Sequence, residues 1–467
     1  MTIRYLALVC FASVLAAAPV DNTLALGRRA LLNDGVATAW RLAQQALTEA
    51  PQSAAAHEFS GEVLFRRGEF APADQAFQSA LQLDPNFALA WWGRARVADC
   101  SSMHKTADQF IRRAHQLDPR DPHVFADWAA RLQGQDRSDA LQQYAAMAGA
   151  GRGPAELSDL MQRIQLEQAM LGHEVMLLAS PYQSAELPLT AFVSDATHMR
   201  NYGLEVDLNS TRLRLVLDTG ASGILISRKA AEKAGIGRLS GATIRGFGDS
   251  TKLSGGYQGV AQRVRVGGIE FHDAVIRVAD QDSVGSQDGL IGTNVFSDFL
   301  VAVDFAGRKL RLNPLPDYHP SGQDPHDRTV VAAMRNYTPV FRFGHLLAIP
   351  TRVSTSREVL FIIDSGSATT LISSDLAASV TKVDRDKRTG ISGLSGKVSD
   401  IYQTGDLFLE FAGFRQKNLG MTAFDMWEQS RQLGFEVSGF LGLPLLELFT
   451  LTIDYRDGLV NFERQER

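Results

Sequence analysis

Cysteine is scarce in this sequence: the 467 residues include only Cys10 and Cys100. If the apolar N-terminal segment is removed, Cys100 is left without a partner. No disulfide can then form within the chain, so the fold has to be stabilised by packing. This excludes a small disulfide-stapled fold. A single cysteine is compatible with a bacterial periplasm or an extracellular space.

The sequence also lacks an excess of positive charge. Its net charge is −5 and its pI is about 6.1, whereas a nucleic-acid-binding protein normally shows a basic face. We therefore expect no nucleic-acid partner. An apolar content of 45% and a charged content of 21% are typical of a soluble globular protein, and the length predicts several compact units.

Three motifs that would indicate other chemistry are missing from the sequence. There is no His-Glu-x-x-His and no credible cluster among the ten histidines that would predict a zinc site. There is no Gly-x-Ser-x-Gly of a serine hydrolase and no Gly-x-x-x-x-Gly-Lys of a nucleotide site. We therefore expect neither a metal nor a cofactor.

The first twenty residues, MTIRYLALVCFASVLAAAPV, predict a signal peptide (residues 1–20). Arg4 gives a positive start, residues 5–15 form an apolar core, and the small residues that follow allow cleavage after Ala16 or Ala17. The alternative is an uncleaved membrane anchor, but a helix needs about 20 apolar residues to span a bilayer. We expect an exported protein, periplasmic or secreted, with no membrane span after signal removal.

A period of 34 residues marks the next region, because Pro51, Pro85 and Pro119 follow one another at that spacing in LTEAPQ, LQLDPN and HQLDPR. Between the first two prolines the pattern predicts one helix over 54–66 and another over 71–83. Apolar residues on one stripe of the second helix recur at helical spacing: Ala73, Ala76, Phe77, Ala80 and Leu81.

This 34-residue period with paired helices resembles the tetratricopeptide repeat, whose unit has that length. The resemblance covers about residues 22–148, and we place the repeat domain at 21–150. It implies a curved helical surface that binds a protein partner and carries no chemistry of its own. An unrelated helical bundle is the alternative.

After a break rich in glycine and alanine, residues 151–175 predict a helical linker. From Val175 onward, short apolar runs alternate with Gly, Asp, Ser and Asn turns, which predicts an all-β region. A proline-rich stretch at 316–328 divides this region into two halves of similar length, 176–315 and 329–467.

The two halves repeat each other. RLVLDTGASGILIS in the first matches LFIIDSGSATTLIS in the second, which aligns Asp218 with Asp364, 146 residues later. DGLIGTNVFSDFLVAVDFAGRKLRL matches SGFLGLPLLELFTLTIDYRDGLVNF, with an offset of 150 residues. The residues aligned there are Gly292 with Gly442 and Asp304 with Asp454. Offsets this similar indicate a duplication.

The duplicated pattern, apolar-apolar-Asp-Thr/Ser-Gly followed about 70 residues later by apolar-apolar-Gly, resembles that of the pepsin and retropepsin aspartic peptidases. The resemblance implies an all-β bilobal acid-protease fold (double-ψ/barrel-like) after the all-α repeats, with the later glycine segment threaded beside each aspartate loop. It identifies Asp218 and Asp364 as the catalytic dyad of an aspartic endopeptidase that acts on peptide or unfolded protein. Because both lobes lie in one chain, a monomer suffices for the active site.

The chemistry of peptide hydrolysis accounts for the two aspartates. Two carboxyls that share one proton can activate water with one group and protonate the substrate with the other. By resemblance, Thr219 and Ser365 exchange hydrogen bonds across the lobes. Gly220 and Gly366 let backbone N–H groups approach the carboxylates.

Ser367 follows Gly366 in the second loop, but Ala221 stands at the matching place in the first. By resemblance, a hydroxyl at this place bonds the outer carboxylate oxygen, so we expect a less acidic pH optimum than that of a stomach enzyme.

Two glycine-rich hairpins, 244–259 and 391–405, are flap candidates, with Tyr257 and Tyr402 at equivalent places. The alternative is that these tyrosines simply pack on strands. Two other functions stay open: a non-catalytic protein that keeps the cleft to bind peptides, and a repeat adaptor whose β region is only structural.

Overall fold

The computed structural model describes residues 19–33, 35–148, 154–173, 175–180, 183–193, 200–244, 254–281, 284, 287–317, 327–328, 330–386, 392–393, 396–398 and 400–465. Residues 1–18 of the predicted signal peptide, most of the linker at 316–328 and parts of both flap candidates lie outside the described residues. Within these ranges, helices come first and strands follow, so the predicted fold class is confirmed. No helix of the described residues combines the length and apolar character that crossing a bilayer requires.

The region from residue 19 to 169 is helical. Its helices are α1 (Pro19–Asn33), α2 (Val36–Glu49), α3 (Ala54–Arg66), α4 (Phe70–Leu83), α5 (Ala88–Cys100), α6 (His104–Leu117), α7 (Pro122–Ala129), α8 (Gly134–Ala148) and α9 (Pro154–Ala169). The starts of α3, α5 and α7 are 34 residues apart, as are those of α4 and α6, so the sequence period is also a structural period.

Local sequence explains where these helices begin and which face they bury. Ser53 precedes α3 and its hydroxyl accepts from the backbone N–H of Ala56 at 3.3 Å, while Asp121 caps α7 with proline at the next position. On α4 the predicted apolar stripe packs inward, and Ala73 and Phe77 have no exposed surface. Small alanines let neighbouring helices approach closely.

The first half of the β region contains the strands β1 (Leu177–Leu178), β2 (Ala185–Pro188), β3 (Thr190–Val193), β4 (Arg200–Leu208), β5 (Thr211–Asp218), β6 (Ile224–Ser227), β7 (Ser240–Ile244), β8 (Ser254–Val266), β9 (Ile269–Ala279), β10 (Gly289–Gly292), β11 (Phe299–Asp304) and β12 (Lys309–Pro314). A short helix α10 (Arg228–Lys233) follows β6, and a 3₁₀ turn (Thr293–Phe296) follows β10. We call this half lobe 1.

The second half, lobe 2, contains β13 (Thr338–Pro339), β14 (Phe341–Phe343), β15 (Leu346–Val353), β16 (Glu358–Asp364), β17 (Leu371–Ser373), β18 (Val383–Asp386), β19 (Ser392–Gly393), β20 (Gly396–Lys397), β21 (Ile401–Thr404), β22 (Leu407–Phe411), β23 (Phe414–Asn418), β24 (Thr422–Phe424), β25 (Gly439–Gly442), β26 (Phe449–Asp454) and β27 (Leu459–Arg464). Its helical elements are α11 (Ser374–Val380), α12 (Trp427–Leu433), α13 (Leu443–Leu446) and a 3₁₀ turn (Ala332–Met334).

The two lobes share one strand order. In lobe 1, β10 lies between β5, to which it is parallel, and β6, to which it is antiparallel, and β6 continues to β9. In lobe 2, β25 lies in the same way between β16 and β17, and β17 continues to β24. The duplication read from the sequence is therefore a duplication of topology.

A third sheet joins the lobes, with the order β13-β27-β26-β11-β12-β2. At its centre β11 of lobe 1 pairs antiparallel with β26 of lobe 2, and Ala302 lies opposite Thr452. One hydrophobic core runs through both lobes, because residues of all three sheets belong to the same buried cluster. The lobes are thus fixed to each other by backbone pairing and by shared apolar packing.

The helical region packs against lobe 2 through a buried cluster that we call the junction core. Its members include Phe65, Phe70 and Phe77 of the helices and Leu360, Phe424 and Phe435 of lobe 2. The ring of Phe70 lies 4.5 Å from that of Phe341. Polar contacts flank the cluster: the backbone N–H of Glu436 donates to Arg66 O at 2.7 Å. The helical region is therefore part of the core of the molecule.

Helix α9 forms a second contact, this time with lobe 1. It packs on β7, the strand that leads into the first flap candidate, and the hydroxyl of Thr243 donates to Asp159 Oδ1 at 2.5 Å. The helical region thus contacts both lobes.

Gly68 is the turn residue between α3 and α4 at the junction core, and its φ of 73° favours glycine. A Cβ there would lie 2.7 Å from Leu360 Cδ1. We expect Gly68→Ala to lower the free energy of unfolding by about 2–4 kcal/mol, from backbone strain and from displaced packing. Denaturant unfolding followed by circular dichroism measures this.

Gly172 provides the matched control, because its φ is 82° and nothing lies within 4 Å of the added Cβ. Gly172→Ala should therefore lower the free energy of unfolding only through backbone strain, by about 1–2 kcal/mol. Equal losses in the two variants would contradict a packed junction at Gly68.

Candidate active site

Asp218 and Asp364 each stand at the carboxyl end of a buried strand. Asp218 ends β5 and lies opposite Gly292 of the parallel strand β10. Asp364 ends β16 and lies opposite Gly442 of β25 in the same register. The downstream glycine segments therefore run beside the aspartate loops, as the resemblance implied. The shared core brings the two strand ends together at the junction of the lobes.

Glycine is required where the two loops meet. A Cβ on Gly220 would lie 2.7 Å from Asp364 Oδ1, and a Cβ on Gly366 would overlap the carboxyl of Asp218. Each loop therefore passes so close to the aspartate of the other lobe that only a residue without a side chain fits. These close approaches place the two carboxyls side by side.

Thr219 and Ser365 connect the loops by reciprocal hydrogen bonds beneath the carboxyls. The N–H of Thr219 donates to Ser365 Oγ at 3.0 Å, and the N–H of Ser365 donates to Thr219 Oγ1 at 2.8 Å. Each hydroxyl in turn donates to a strand carbonyl of the opposite lobe, Thr219 to Ile363 O at 2.9 Å and Ser365 to Leu217 O at 3.2 Å. We call these four bonds the inter-lobe grip.

The two carboxyls share a hydrogen bond and receive others from the backbone. The N–H of Gly220 donates to Asp218 Oδ1 at 2.7 Å, and the N–H of Gly366 donates to Asp364 Oδ1 at 3.0 Å. Such donors stabilise a carboxylate that protein atoms otherwise surround.

Burial raises the pKa of both carboxyls above the ordinary aspartate value of 3.8. The pKa of Asp364 is raised further, well above that value, because the charge of Asp218 repels a second negative charge beside it. The pair therefore holds one proton over a wide pH range and titrates as a unit. An acid and a base in contact can act together on one water molecule.

The residues that follow the two glycines do not differ in the way the sequence argument assumed. The hydroxyl of Ser367 donates to Thr369 O at 2.8 Å, and its backbone N–H donates to the main-chain O of Asp364 at 3.2 Å. The N–H of Ala221 makes the same bond to the main-chain O of Asp218 at 3.3 Å. The expected hydroxyl–carboxylate bond at Ser367 is thus wrong, because a nearby carbonyl takes the hydroxyl. The expectation of a less acidic pH optimum rests instead on the desolvation that raises the pKa values of both carboxyls.

The flap candidates Tyr257 and Tyr402 both lie on strands with their rings packed against the core. The hydroxyl of Tyr257 donates to Ile236 O at 3.0 Å, and Tyr402 lies opposite Ala423 in the lobe 2 sheet. These positions favour the packing alternative over a flap role. Residues 245–253, at the tip of the first hairpin, lie outside the described residues.

Several residues that contact the aspartate loops were not found from sequence. The ring of His345 lies 3.1 Å from Gly220 O through Nε2, and Asn294 Oδ1 accepts from the N–H of Gly223 at 3.0 Å. The hydroxyls of Thr293 and Tyr455 are 2.6 Å apart across the lobes. Thr293 and Asn294 directly follow the aligned glycine and could have been suspected from that place, whereas His345 stands in no recognisable motif.

No group of three or more His, Cys, Asp or Glu side chains that could hold a metal ion occurs among the described residues. A cavity of about 590 Å³ lies between the helical region and lobe 2, where Leu31, Trp427 and Phe435 are among its lining residues. The two aspartates are not among the residues that line it.

Comparison with known proteins agrees with this geometry for lobe 1. Residues 204–295, which include Asp218 and Gly292, match the model of a family described as aspartyl protease. Among solved structures, the chain is similar to an aspartic proteinase from Irpex lacteus with a TM-score of 0.38 and 15% identity, over 61% of this chain and 98% of that one. No curated protein matches the chain.

The inter-lobe grip can be tested by removing one hydroxyl. In Thr219→Val, the N–H of Ser365 and the carbonyl of Ile363 lose their partners while the side-chain shape is kept. We expect the free energy of unfolding to fall by about 2–5 kcal/mol, because each buried group left unpaired costs about 1–3 kcal/mol. Thr219→Ser, which keeps both bonds, should lose about 1 kcal/mol for the missing methyl group. Equal losses of unfolding free energy in Thr219→Val and Thr219→Ser, measured by chemical denaturation, would contradict a stabilising role of the inter-lobe grip.

The raised pKa of Asp364 makes folding stability depend on pH. The native state holds a proton that the unfolded chain releases above about pH 3.8, so this group's contribution to stability is lost as pH rises through the folded-state pKa. Asparagine mimics the protonated form. We therefore expect Asp364→Asn to unfold at a higher temperature than wild type at pH 7, with a difference that shrinks toward pH 4.

Asp384→Asn is the control for this pH series, because the Asp384 side chain is 69% exposed and lies on the surface beside Lys382. Its melting temperature should follow that of wild type across the series. If Asp364→Asn follows wild type as well, the carboxyl is not held in its protonated form.

Proposed function

We propose that the protein is an aspartic endopeptidase that hydrolyses peptide bonds with a water activated between Asp218 and Asp364. The observation that carries the proposal is the hydrogen-bonded pair of half-buried carboxyls, one from each lobe, whose pKa values are both raised by desolvation. A pair of like acids held in contact costs stability. The proposed hydrolysis needs a proton shared between the two carboxyls, which explains why the fold keeps them in contact despite this cost in stability.

The residues support a reaction in which protons balance. Asp218, with the lower pKa of the two, is the carboxylate that takes a proton from the water as the water oxygen bonds to the peptide carbonyl carbon. Asp364 gives its proton to the carbonyl oxygen, and a tetrahedral diol results. In the second step the dyad protonates the amide nitrogen and takes back a hydroxyl proton, and the C–N bond breaks. The pair ends with one proton, as it began.

The placement of the dyad between the lobes supports the proposal of cleavage within a chain. Because each lobe contributes one aspartate, a peptide bound across the site contacts the protein on both sides of the cleaved bond. We therefore propose peptides or unfolded proteins as substrates and internal bonds as the point of attack.

We also propose that the protein is exported and that the helical repeats, of tetratricopeptide type, bind a protein partner. Support for export is the charge and apolar pattern of residues 1–20. Support for the repeats is the 34-residue recurrence of the helix starts. Because α3 to α5 share the junction core with lobe 2, we propose that the repeats are retained and not removed like a propeptide.

The test is cleavage of a denatured protein by the mature chain between pH 2 and 8, with and without pepstatin. We expect activity that falls as pH rises through the upper pKa of the pair, because no acid remains when both carboxyls are ionised. Since both pKa values are raised, the rate should peak above about pH 3. A peak below that value would contradict the assignment of the proton.

Asp218→Asn should reduce the rate by about 10²–10⁴-fold or more, since it removes the base, while the surface variant Asp384→Asn should keep wild-type activity. If wild type cleaves nothing in this range but binds unfolded peptide, the cleft serves as a peptide-binding groove. If Asp218→Asn cleaves as well as wild type, the dyad is wrongly assigned.

A further inference from the structure

His345 lies in a tight turn of lobe 2 that is fixed on both sides. Phe343 of β14 pairs with Leu346 of β15, so Gly344 and His345 form a two-residue hairpin loop, and Gly344 has the positive φ of 63° that such turns use. Strand β15 also pairs with β16, the strand that ends at Asp364. The histidine is therefore attached to the catalytic strand of lobe 2.

From this turn the imidazole reaches across to the catalytic loop of lobe 1. Its Nε2 lies 3.1 Å from Gly220 O. A carbonyl oxygen can only accept, so Nε2 carries the hydrogen and donates. The ring is partly buried between the lobes, and this burial lowers the pKa of His345 below its usual value. The donating Nε2–H is present both in the protonated ring and in the neutral Nε2–H tautomer.

The accepting carbonyl belongs to Gly220, whose own N–H donates to Asp218 Oδ1 at 2.7 Å. The N–H on the other side of the same peptide unit, that of Ala221, donates to the main-chain O of Asp218 at 3.3 Å and closes the turn. A donor on the carbonyl of a peptide group polarises its N–H and strengthens the bond which that N–H donates. The bond from His345 thus fixes the turn from which the N–H of Gly220 reaches the carboxylate.

A second basic side chain holds another carbonyl of this loop. Arg277 of β9 donates to Ser222 O, and its charge lies close enough to His345 to lower the histidine's pKa further. In lobe 2 the hydroxyl of Ser367 donates to Thr369 O, a carbonyl of the same loop. Strand register puts Thr422 at the place of Arg277 there.

We propose that His345 is a positioning residue for Asp218, which crosses from lobe 2 to hold the Gly220 carbonyl and thereby fixes the turn from Asp218 to Ala221, so that the N–H of Gly220 stays aimed at the Asp218 carboxylate. The expected effect on kcat rests on the proposed peptidase function, whereas the expected effect on the titration of Asp218 does not. The histidine bonds the loop at Gly220 O and acts on the carboxylate through it. Its loss should therefore change turnover and the titration of the dyad more than substrate binding.

The experiment compares His345→Leu, which removes the donor, with His345→Gln, whose amide can donate to the same carbonyl. We expect His345→Leu to lower kcat by about 10- to 100-fold with KM within about 2-fold, as misplaced catalytic groups do. The acid limb of its pH–rate profile should move to higher pH, because the carboxylate loses stabilisation. His345→Gln should restore both values.

His272→Leu is the matched control, because that histidine lies on β9, is 46% exposed and pairs with Glu270 on the surface. It should leave kcat and the pH profile unchanged. If His345→Gln is as impaired as His345→Leu, or if His345→Leu equals wild type in kcat and in its acid limb, the positioning role is overturned.

A readout without turnover separates this proposal from the proposed function. Carbon-13 NMR of aspartate carboxyls, assigned with Asp218→Asn and Asp364→Asn, follows the titration of the pair directly. Asp218 should titrate at higher pH in His345→Leu than in wild type and in His345→Gln. An unchanged titration overturns the role of His345 even in an active enzyme. A shifted titration in a protein that cleaves no peptide would sustain it while the peptidase proposal fails.

Discussion

The contact between the half-buried carboxyls of Asp218 and Asp364 is the constraint on which the rest of the β region depends. Two like charges cannot both be held there, so the native state has to retain a proton and has to supply backbone N–H donors to the remaining charge. Those donors can approach only because Gly220 and Gly366 carry no Cβ. The grip beneath the carboxyls and the sheet that joins β11 to β26 then keep the loops in contact against their mutual repulsion.

Duplication would make the two carboxyls equivalent, yet the surroundings differ in ways that separate them. Thr293 and Tyr455 form a buried hydrogen bond between the lobes, whereas the aligned partners, Leu443 and Phe305, are apolar and buried. The same internal symmetry thus places a polar connection on one side of the junction and an apolar one on the other. A symmetric fold with asymmetric contacts can assign acid and base roles to two identical side chains.

The features that the sequence predicts are those that depend on patterns along the chain. The order of helices and strands and the placement of the downstream glycines beside Asp218 and Asp364 follow from periodicity and repetition. The sequence did not predict contacts that depend on the direction of a side chain. The hydroxyl of Ser367 turns to a carbonyl and not to a carboxylate, and His345 reaches the site from a hairpin turn with no motif. The junction core depends on long-range packing, which no local pattern encodes.

The junction core gives the helical region a physical connection to the active site. Phe70 of α4 packs on Phe341 and Phe343, the two aromatic residues of the strand that leads into the turn of His345. Within the same strand, Arg342 donates to Tyr455 O. The hairpin is therefore held from the helical side by apolar packing and from the lobe junction by a hydrogen bond. Since interior packing transmits displacement over short distances, the helices act as a rigid support for the turn that holds the Asp218 loop, in addition to any surface they present to a partner.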